Sequence, residues 1–247
     1  MRRNGIHAVI PVKSFAAAKQ RMSAFLNSSE RAHLARLMLE DVLDAVRLAY
    51  ALSGCLIVTH DPLAAAIARG AGAQVLDPYG DFGFAAAVSL AVAALPREAG
   101  MVVVPTDIPH ISPALIDRIA AVTPSPGVAL VAATSDGGTN VLAMRPCTLL
   151  VPQFGIDSFA RHRNAALAAG VAPVICASAE AGCDLDRPAD LAAFLSLNSA
   201  TRSHYFLTSL DLAERFEACD ALALEHAARA PAFERCERGG ERAAAAS

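Results

Sequence analysis

Met101-Val102-Val103-Val104-Pro105, followed at once by Thr106-Asp107, is the stretch that decides the fold. Four apolar residues in a row, three of them β-branched, leave no polar face, and a strand covered on both sides reads this way. Comparable runs recur at Ala8 to Val12, Cys55 to Thr59, Gln74 to Leu76, Val128 to Ala132, Asn140 to Met144 and Val171 to Cys176. Helical patterns alternate with them. Asn27 and Glu30 stand at capping-box spacing ahead of Leu34, Leu37, Met38, Val42 and Val46, which repeat with helical periodicity. Further helical patterns cover Pro62 to Arg69, Phe84 to Leu95, Pro113 to Ala121, Ser158 to Ala169 and Pro188 to Leu195. Strand alternating with helix predicts an α/β fold, a mostly parallel sheet flanked by helices with right-handed crossovers.

That domain is expected over residues 1–197. Residues 198–247 are expected to form an appended helical segment, with Leu207, Leu210, Leu212, Phe216, Leu222 and Leu224 as its apolar positions. Its Arg- and Ala-rich end reads as disordered. With 21 Lys+Arg against 24 Asp+Glu the net charge is −3, so no general pull toward nucleic acid or an anionic membrane exists, and any anion site must be local. The six cysteines (Cys55, Cys147, Cys176, Cys183, Cys219, Cys236) contain no CxxC pair and read as idle thiols rather than zinc ligands. Arg2 and Arg3 are followed by a strand-like run rather than a signal-peptide core, and the longest apolar stretch, Phe84 to Leu95, is shorter than the roughly 20 residues of a spanning helix. A soluble, cytoplasmic protein is expected.

In parallel α/β proteins ligands gather at the carboxyl ends of the strands. No glycine occurs between Gly5 and Gly54, so the first such loop holds neither a dinucleotide fingerprint nor a Walker A loop, both of which need glycine to approach phosphate. Nicotinamide oxidoreductases and P-loop NTPases are thereby disfavoured. The loop instead carries Lys13, Lys19 and Arg21, cations suited to a shared anion if the chain curls, or else to a merely solvated surface. Asp107 follows a buried strand at the sheet edge, where a bare carboxylate is costly. A helix cap is the simpler role for it, but Ser112-Pro113 fits that cap better, which frees Asp107 for a metal. In Asp184-Leu185-Asp186-Arg187-Pro188 the two aspartates share one side of an extended segment and repel unless a cation lies between them. Asp186 could alternatively cap a helix starting at Pro188. Asp136-Gly137-Gly138-Thr139-Asn140 is a hairpin-capable turn. Asp157 or Ser158 opens a helix, either as a plain cap, the commoner role, or with its first amides and the serine hydroxyl cradling an anion. His162 and the other histidines show no ligand spacing.

Taken in order, Pro11-Val12-Lys13 with Lys19 and Arg21, Pro105-Thr106-Asp107-Ile108-Pro109, Asp136 to Asn140, Phe154-Gly155 with Asp157-Ser158-Phe159 and His162, and Asp184 to Leu191 resemble the CofC/FbiD family, the guanylyltransferases of coenzyme F420 biosynthesis. The resemblance spans about residues 6 to 197. It implies the nucleotide-diphospho-sugar transferase-like fold and the use of GTP with Mg²⁺. The acceptor it implies is 2-phospho-L-lactate, phosphoenolpyruvate or 3-phospho-D-glycerate, and the product would pass to a deazaflavin-handling transferase. By similarity Asp107, Asp184 and Asp186 hold the metal, and Thr139, Gly155 and Ser158 meet the phosphorylated acid. Ala85 departs from the asparagine usual in that family. A homo-oligomer is compatible with the appended segment.

The implied reaction is in-line attack by a substrate phosphate oxygen on the α-phosphorus of GTP, with pyrophosphate leaving. A phosphate monoester with a second pKa of about 6 is already an anion at neutral pH, so no general base is needed. The demand is for positive charge and positioning, which Lys13, Lys19 and Arg21 would supply to the departing phosphates. The alternatives are a nucleotidylyltransferase of the same fold using another nucleotide or a sugar or cofactor acceptor, and a nucleotide-binding protein without catalysis.

Overall fold

Seven of the apolar runs become strands in the computed structural model, which describes residues 5–80, 83–134, 136–197, 199–212 and 214–215. They are β1 (Ile6–Pro11), β2 (Leu52–Val58), β3 (Gln74–Leu76), β4 (Gly100–Val103), β5 (Gly127–Ala132), β6 (Thr139–Arg145) and β7 (Val174–Ile175). One sheet joins them in the order β3-β2-β1-β4-β6-β5-β7. The pairs β1·β2, β1·β4, β2·β3 and β5·β7 are parallel, whereas β6 runs antiparallel to both β4 and β5. The chain builds outward from β1 to β3 and then returns to lay β4 on the other flank of β1. That reversal opens a crevice at the carboxyl ends of β1 and β4. Because β6 is antiparallel, its first residues, Thr139 and Asn140, arrive at the same edge.

β1 and β4 are buried along their whole length, as their unbroken apolar sequence requires. Val9, Leu56, Met101, Val103, Leu130, Leu142 and Met144 form the core with helix α3 (Phe84–Ala94), through Ala87, Val88 and Ala91, and with Ala166 of α5 (Ser158–Ala168). Helix α1 (Ser28–Leu48) begins at the expected capping box: Asn27 Oδ1 accepts the Glu30 amide at 2.9 Å and the Glu30 carboxylate accepts the Asn27 amide at 2.9 Å. Leu34, Met38, Leu39 and Val42 along it are fully buried. Ser112 caps α4 (Pro113–Val122) as expected, and Asp61 caps α2 (Pro62–Gly70). Cys55, Cys147, Cys176 and Cys183 are free thiols.

Three boundaries differ from the sequence reading. The run Val171 to Cys176 contributes only Val174–Ile175 to the sheet, because the Val171 amide donates back to Ala166 at the end of α5 and Pro173 has no N–H to give. After the one-turn helix α6 (Ala179–Gly182), the helix expected from Pro188 starts instead as α7 at Asp190–Ser196. Past residue 197 the chain forms α8 (Arg202–Thr208), and the first of two compact units runs Met1–Ser209, so α8 belongs with the main fold. The rest of the expected appended segment beyond residue 215, with Phe216, Leu222 and Leu224, lies outside the described residues, as do Arg2, Arg3, Cys219 and Cys236. Among the described residues no helix is long and apolar enough to cross a membrane.

Helix α8 is held by a carboxylate in the middle of α1. Asp41 is 6 % exposed; it accepts the Arg202 and Ser203 amides at 2.9 Å each and the Ser203 hydroxyl at 2.7 Å. Arg202 also reaches Asp41 at 3.2 Å and Asp44 at 2.8 Å. Removing a buried acceptor strands its donors, at about 1–3 kcal/mol each in unfavourable cases, whereas exposed ion pairs are worth at most about 1 kcal/mol. Asp41→Ala should therefore lower the melting temperature by roughly 5–10 °C and Asp44→Ala by no more than about 4 °C, read by thermal unfolding. Equal effects would contradict this account.

Candidate active site

The loop after β1 is shaped by two local devices. Asp61, at the start of α2, accepts the Phe15 amide at 3.0 Å while capping its own helix, which pins the loop to the neighbouring strand-to-helix turn. Burial opposes ionisation of Asp61, but these amides outweigh it and hold its pKa below the usual carboxylate value. Four residues on, Lys19 adopts left-handed backbone (φ 51°, ψ 39°), a conformation that costs a non-glycine residue about 1–2 kcal/mol and turns the chain back toward the sheet. The Lys19 side chain is consequently only 8 % exposed.

The aspartates come from two segments tied to each other. Leu185 is fully buried and its amide donates to the Asp107 carbonyl at 2.9 Å, so Asp184 and Asp186, one residue to either side, both line the crevice. The Asp107 turn is fastened from beneath, where His110 stacks on buried Phe194 of α7 with ring centroids 4.0 Å apart. Asp186 is not a helix cap. The Asp190 carboxylate takes the Asp186 and Arg187 amides at 2.9 and 2.6 Å, which leaves the Asp186 carboxylate to the crevice.

Lys19 Nζ lies 3.0 Å from Asp186 Oδ1 and 3.7 Å from Asp107 Oδ2, and Arg21 Nη1 lies 3.3 Å from Asp186 Oδ2. Burial raises the pKa of Asp186, but Lys19 and then Arg21 reverse the effect and hold it below the usual value. Asp107 goes the other way: burial raises its pKa, Lys19 offsets this only in part, and Asp186 adds repulsion. Asp184 is likewise raised by burial and by Asp107, which a long hydrogen bond from Asn140 Nδ2 at 3.4 Å and a backbone hydrogen bond offset only in part. Two carboxylates in want of positive charge are a donor set suited to a hard divalent cation, so the residues fit such an ion. Among the described residues no three acidic, His or Cys side chains already converge at ligand distance, since Lys19 and Arg21 occupy Asp186.

Two cavities meet at these carboxylates. One of about 240 Å³ is lined by Lys13, Phe15, Lys19 and Met38, the other of about 510 Å³ by Arg21, Thr139, Gly155, Ser158, Asp184 and Arg187. Phe84, Pro105, Asp107 and Asp186 belong to both. A third hollow of about 270 Å³, around Leu43, Leu52, Cys55 and Ala73, sits at the opposite edge of the sheet, away from the aspartates.

All nine residues singled out from the sequence line these two cavities. One expectation for the larger cavity fails, however. The first amides of α5 do not form an open anion cradle, because Ser158 N donates to Gly155 O at 3.0 Å and Phe159 N to Gly137 O at 3.2 Å. The hydroxyls remain: Ser158 Oγ accepts the Thr139 amide at 2.8 Å, and Thr139 Oγ1 lies 2.9 Å from His162 Nδ1. Gly155 has φ +118°, which L side chains rarely adopt. Asn140, named above only as part of a turn, has a positioning role: its Nδ2 donates to Ala181 O and Gly182 O at 2.9 and 3.1 Å and so sets the start of the Asp184 segment. Asp190 and His162 likewise had no role assigned to them from the sequence. The four-residue spacing of Ser158 and His162 on one helix face was the available signal for the last of these.

A family model described as guanylyl transferase CofC like matches residues 6–229. The chain belongs to that family. It is 37 % identical over 193 residues to a 3-phospho-D-glycerate guanylyltransferase of Phenylobacterium zucineum, covering 74 % of this chain and 86 % of that one. It is 38 % identical over 191 residues to a phosphoenolpyruvate guanylyltransferase of Rubrobacter xylanophilus, covering 76 % and 92 %. In fold it resembles a protein from Desulfovibrio desulfuricans G20 described as a nucleotide-diphospho-sugar transferase (TM-score 0.68, 15 % identity, 86 % of this chain and 98 % of that). A nucleotidyl transferase from Methanothermobacter is similar too (TM-score 0.58, 19 % identity, 84 % and 100 %). The protein is therefore a nucleotidyltransferase with the nucleotide-diphospho-sugar transferase fold, an enzyme class that generally works with a divalent metal.

The charge balance around Lys19 is testable through pH. A carboxylate whose pKa is lowered on folding contributes stability above its unfolded pKa and loses it as pH falls; one whose pKa is raised costs stability as pH rises. Lys19→Met removes the main lowering influence on both Asp186 and Asp107. The variant should lose several degrees of melting temperature at pH 7 and markedly less at pH 4.5. An equal loss at both pH values would show that Lys19 acts by packing alone.

Proposed function

We propose that this enzyme transfers the guanylyl group of GTP to a phosphorylated three-carbon acid (2-phospho-L-lactate, phosphoenolpyruvate or 3-phospho-D-glycerate), releasing pyrophosphate. The conjugate would then go to a deazaflavin-handling transferase in coenzyme F420 biosynthesis. The observation that carries this reading is the placement of Asp107 and Asp186 on the wall between two cavities at the strand-order reversal. A nucleotide in the smaller cavity and an acid in the larger would meet there. The activities of the two bacterial relatives, guanylyl transfer to 3-phospho-D-glycerate and to phosphoenolpyruvate, favour this reading.

Asp107 and Asp184 would hold Mg²⁺, joined by Asp186 once Lys19 and Arg21 turn to phosphate oxygens. When bound, the ion supplies the positive charge that lets an anionic nucleophile approach the α-phosphate. Lys13 and Lys19, which line the smaller cavity, balance the charge growing on pyrophosphate as it departs. The acid's own phosphate is the nucleophile and already an anion near pH 7, so none of these side chains has to remove a proton. Thr139, Gly155 and Ser158 position the acid in the larger cavity.

Asp107→Asn should lower kcat about 100-fold or more in a pyrophosphate-release assay with GTP and Mg²⁺, while the fold survives, because the raised pKa of Asp107 means that its charge does not stabilise the native state at pH 7. Full activity of the folded variant would sink the metal assignment. Purified protein given GTP, Mg²⁺ and the three acids together should yield a guanosine diphosphate conjugate of one acid in excess, resolved by mass. Release of pyrophosphate only from CTP or another triphosphate would refute the choice of GTP.

A further inference from the structure

The ring of His162 is fully buried, and its two nitrogens face groups of different character. Nε2 lies 2.8 Å from the Gln153 backbone nitrogen, which can only donate. Nε2 must therefore carry a lone pair, and the single proton of a neutral imidazole must sit on Nδ1. Nδ1–H then donates to Thr139 Oγ1 at 2.9 Å. Burial, and after it the nearby Arg161, pushes the pKa of His162 down to about 4, so the ring is neutral at physiological pH.

The consequence lies one bond further out. Thr139 Oγ1 uses a lone pair on His162, so its hydrogen is released toward the larger cavity that Thr139 lines. Ser158 Oγ likewise spends a lone pair on the Thr139 amide and keeps its hydrogen for the cavity. Both hydroxyls are thus polarised as donors, and a pair of donors suits carboxylate or phosphate oxygens and not a neutral donor group. We propose that His162 is a positioning residue that, as the Nδ1–H tautomer, orients the Thr139 hydroxyl as a donor to an anionic oxygen of the acid substrate. This rests on the reading that Thr139 meets that acid.

Steady-state kinetics with GTP and the preferred acid, together with nitrogen NMR of the imidazole, test it. Thr139→Val should raise KM for the acid about tenfold, the cost of one hydrogen bond to a charged group, and leave KM for GTP in place. An unmoved acid KM would refute the reading of Thr139 itself. With that reading intact, His162→Gln, which keeps an acceptor near Nε2 but has no donor at the Nδ1 position, should reproduce the rise and add less than about twofold in the Thr139→Val background. His162→Asn, whose amide can overlay Nδ1, should restore most of the affinity. Equal increases in both KM values, or independent effects in the double variant, would overturn the proposal and leave His162 a packing residue. Should the variants fail to fold, the wild-type ring decides: a one-bond proton coupling at Nδ1 supports the proposal, and one at Nε2 overturns it.

Discussion

Three carboxylates brought to one edge of a buried sheet repel each other and lose hydration, and much of the structure at that edge exists to tolerate them. Lys19 answers Asp186 and, at 3.7 Å, part of Asp107, while Asn140 makes one long contact to Asp184. The balance is deliberately incomplete in its electrostatic sense: Asp186 is satisfied and its two companions are not. A site that were fully neutralised by its own lysines would have no affinity left for a cation, and one with no lysine would destabilise the fold.

Holding that arrangement requires rigid loops, and each is fastened by a polar atom that serves two elements. Asp61 caps α2 and grips Phe15 of the first loop. Leu185 buries its side chain and hydrogen-bonds the carbonyl of Asp107. Asp190 takes the amides that Asp186 would otherwise have had to satisfy. These contacts leave the backbone around the carboxylates little freedom, which is what positioning chemistry asks of a scaffold.

The larger cavity shows a different economy of hydrogen bonding. Its hydroxyls are not open in both senses, since an interior donor has already taken a lone pair from each. Polarity is set from behind, by a neutral histidine whose own tautomer is dictated by a backbone amide of the neighbouring loop. The two hydroxyls thus add donors to a cavity that Arg21 and Arg187 also line.

Periodicity and capping signals were enough to read the strands, the helices and the α/β class, because they depend on neighbours in sequence: the Asn27–Glu30 box and the Ser112 cap are local chemistry. Asp107 at the end of a Val-rich strand and the Asp184–Asp186 pair were legible for the same reason. Pairings between distant residues were not. That Lys19 spends its charge on Asp186, that Asp41 receives α8 from 161 residues away, and that His162 governs Thr139 follow from the order of strands and the antiparallel entry of β6. The sequence alone determined which groups could bear charge and where the chain would extend or coil. Only the tertiary structure decided which groups face each other, because burial and hydrogen-bond direction, and hence pKa and tautomer, are properties of surroundings that no local pattern encodes.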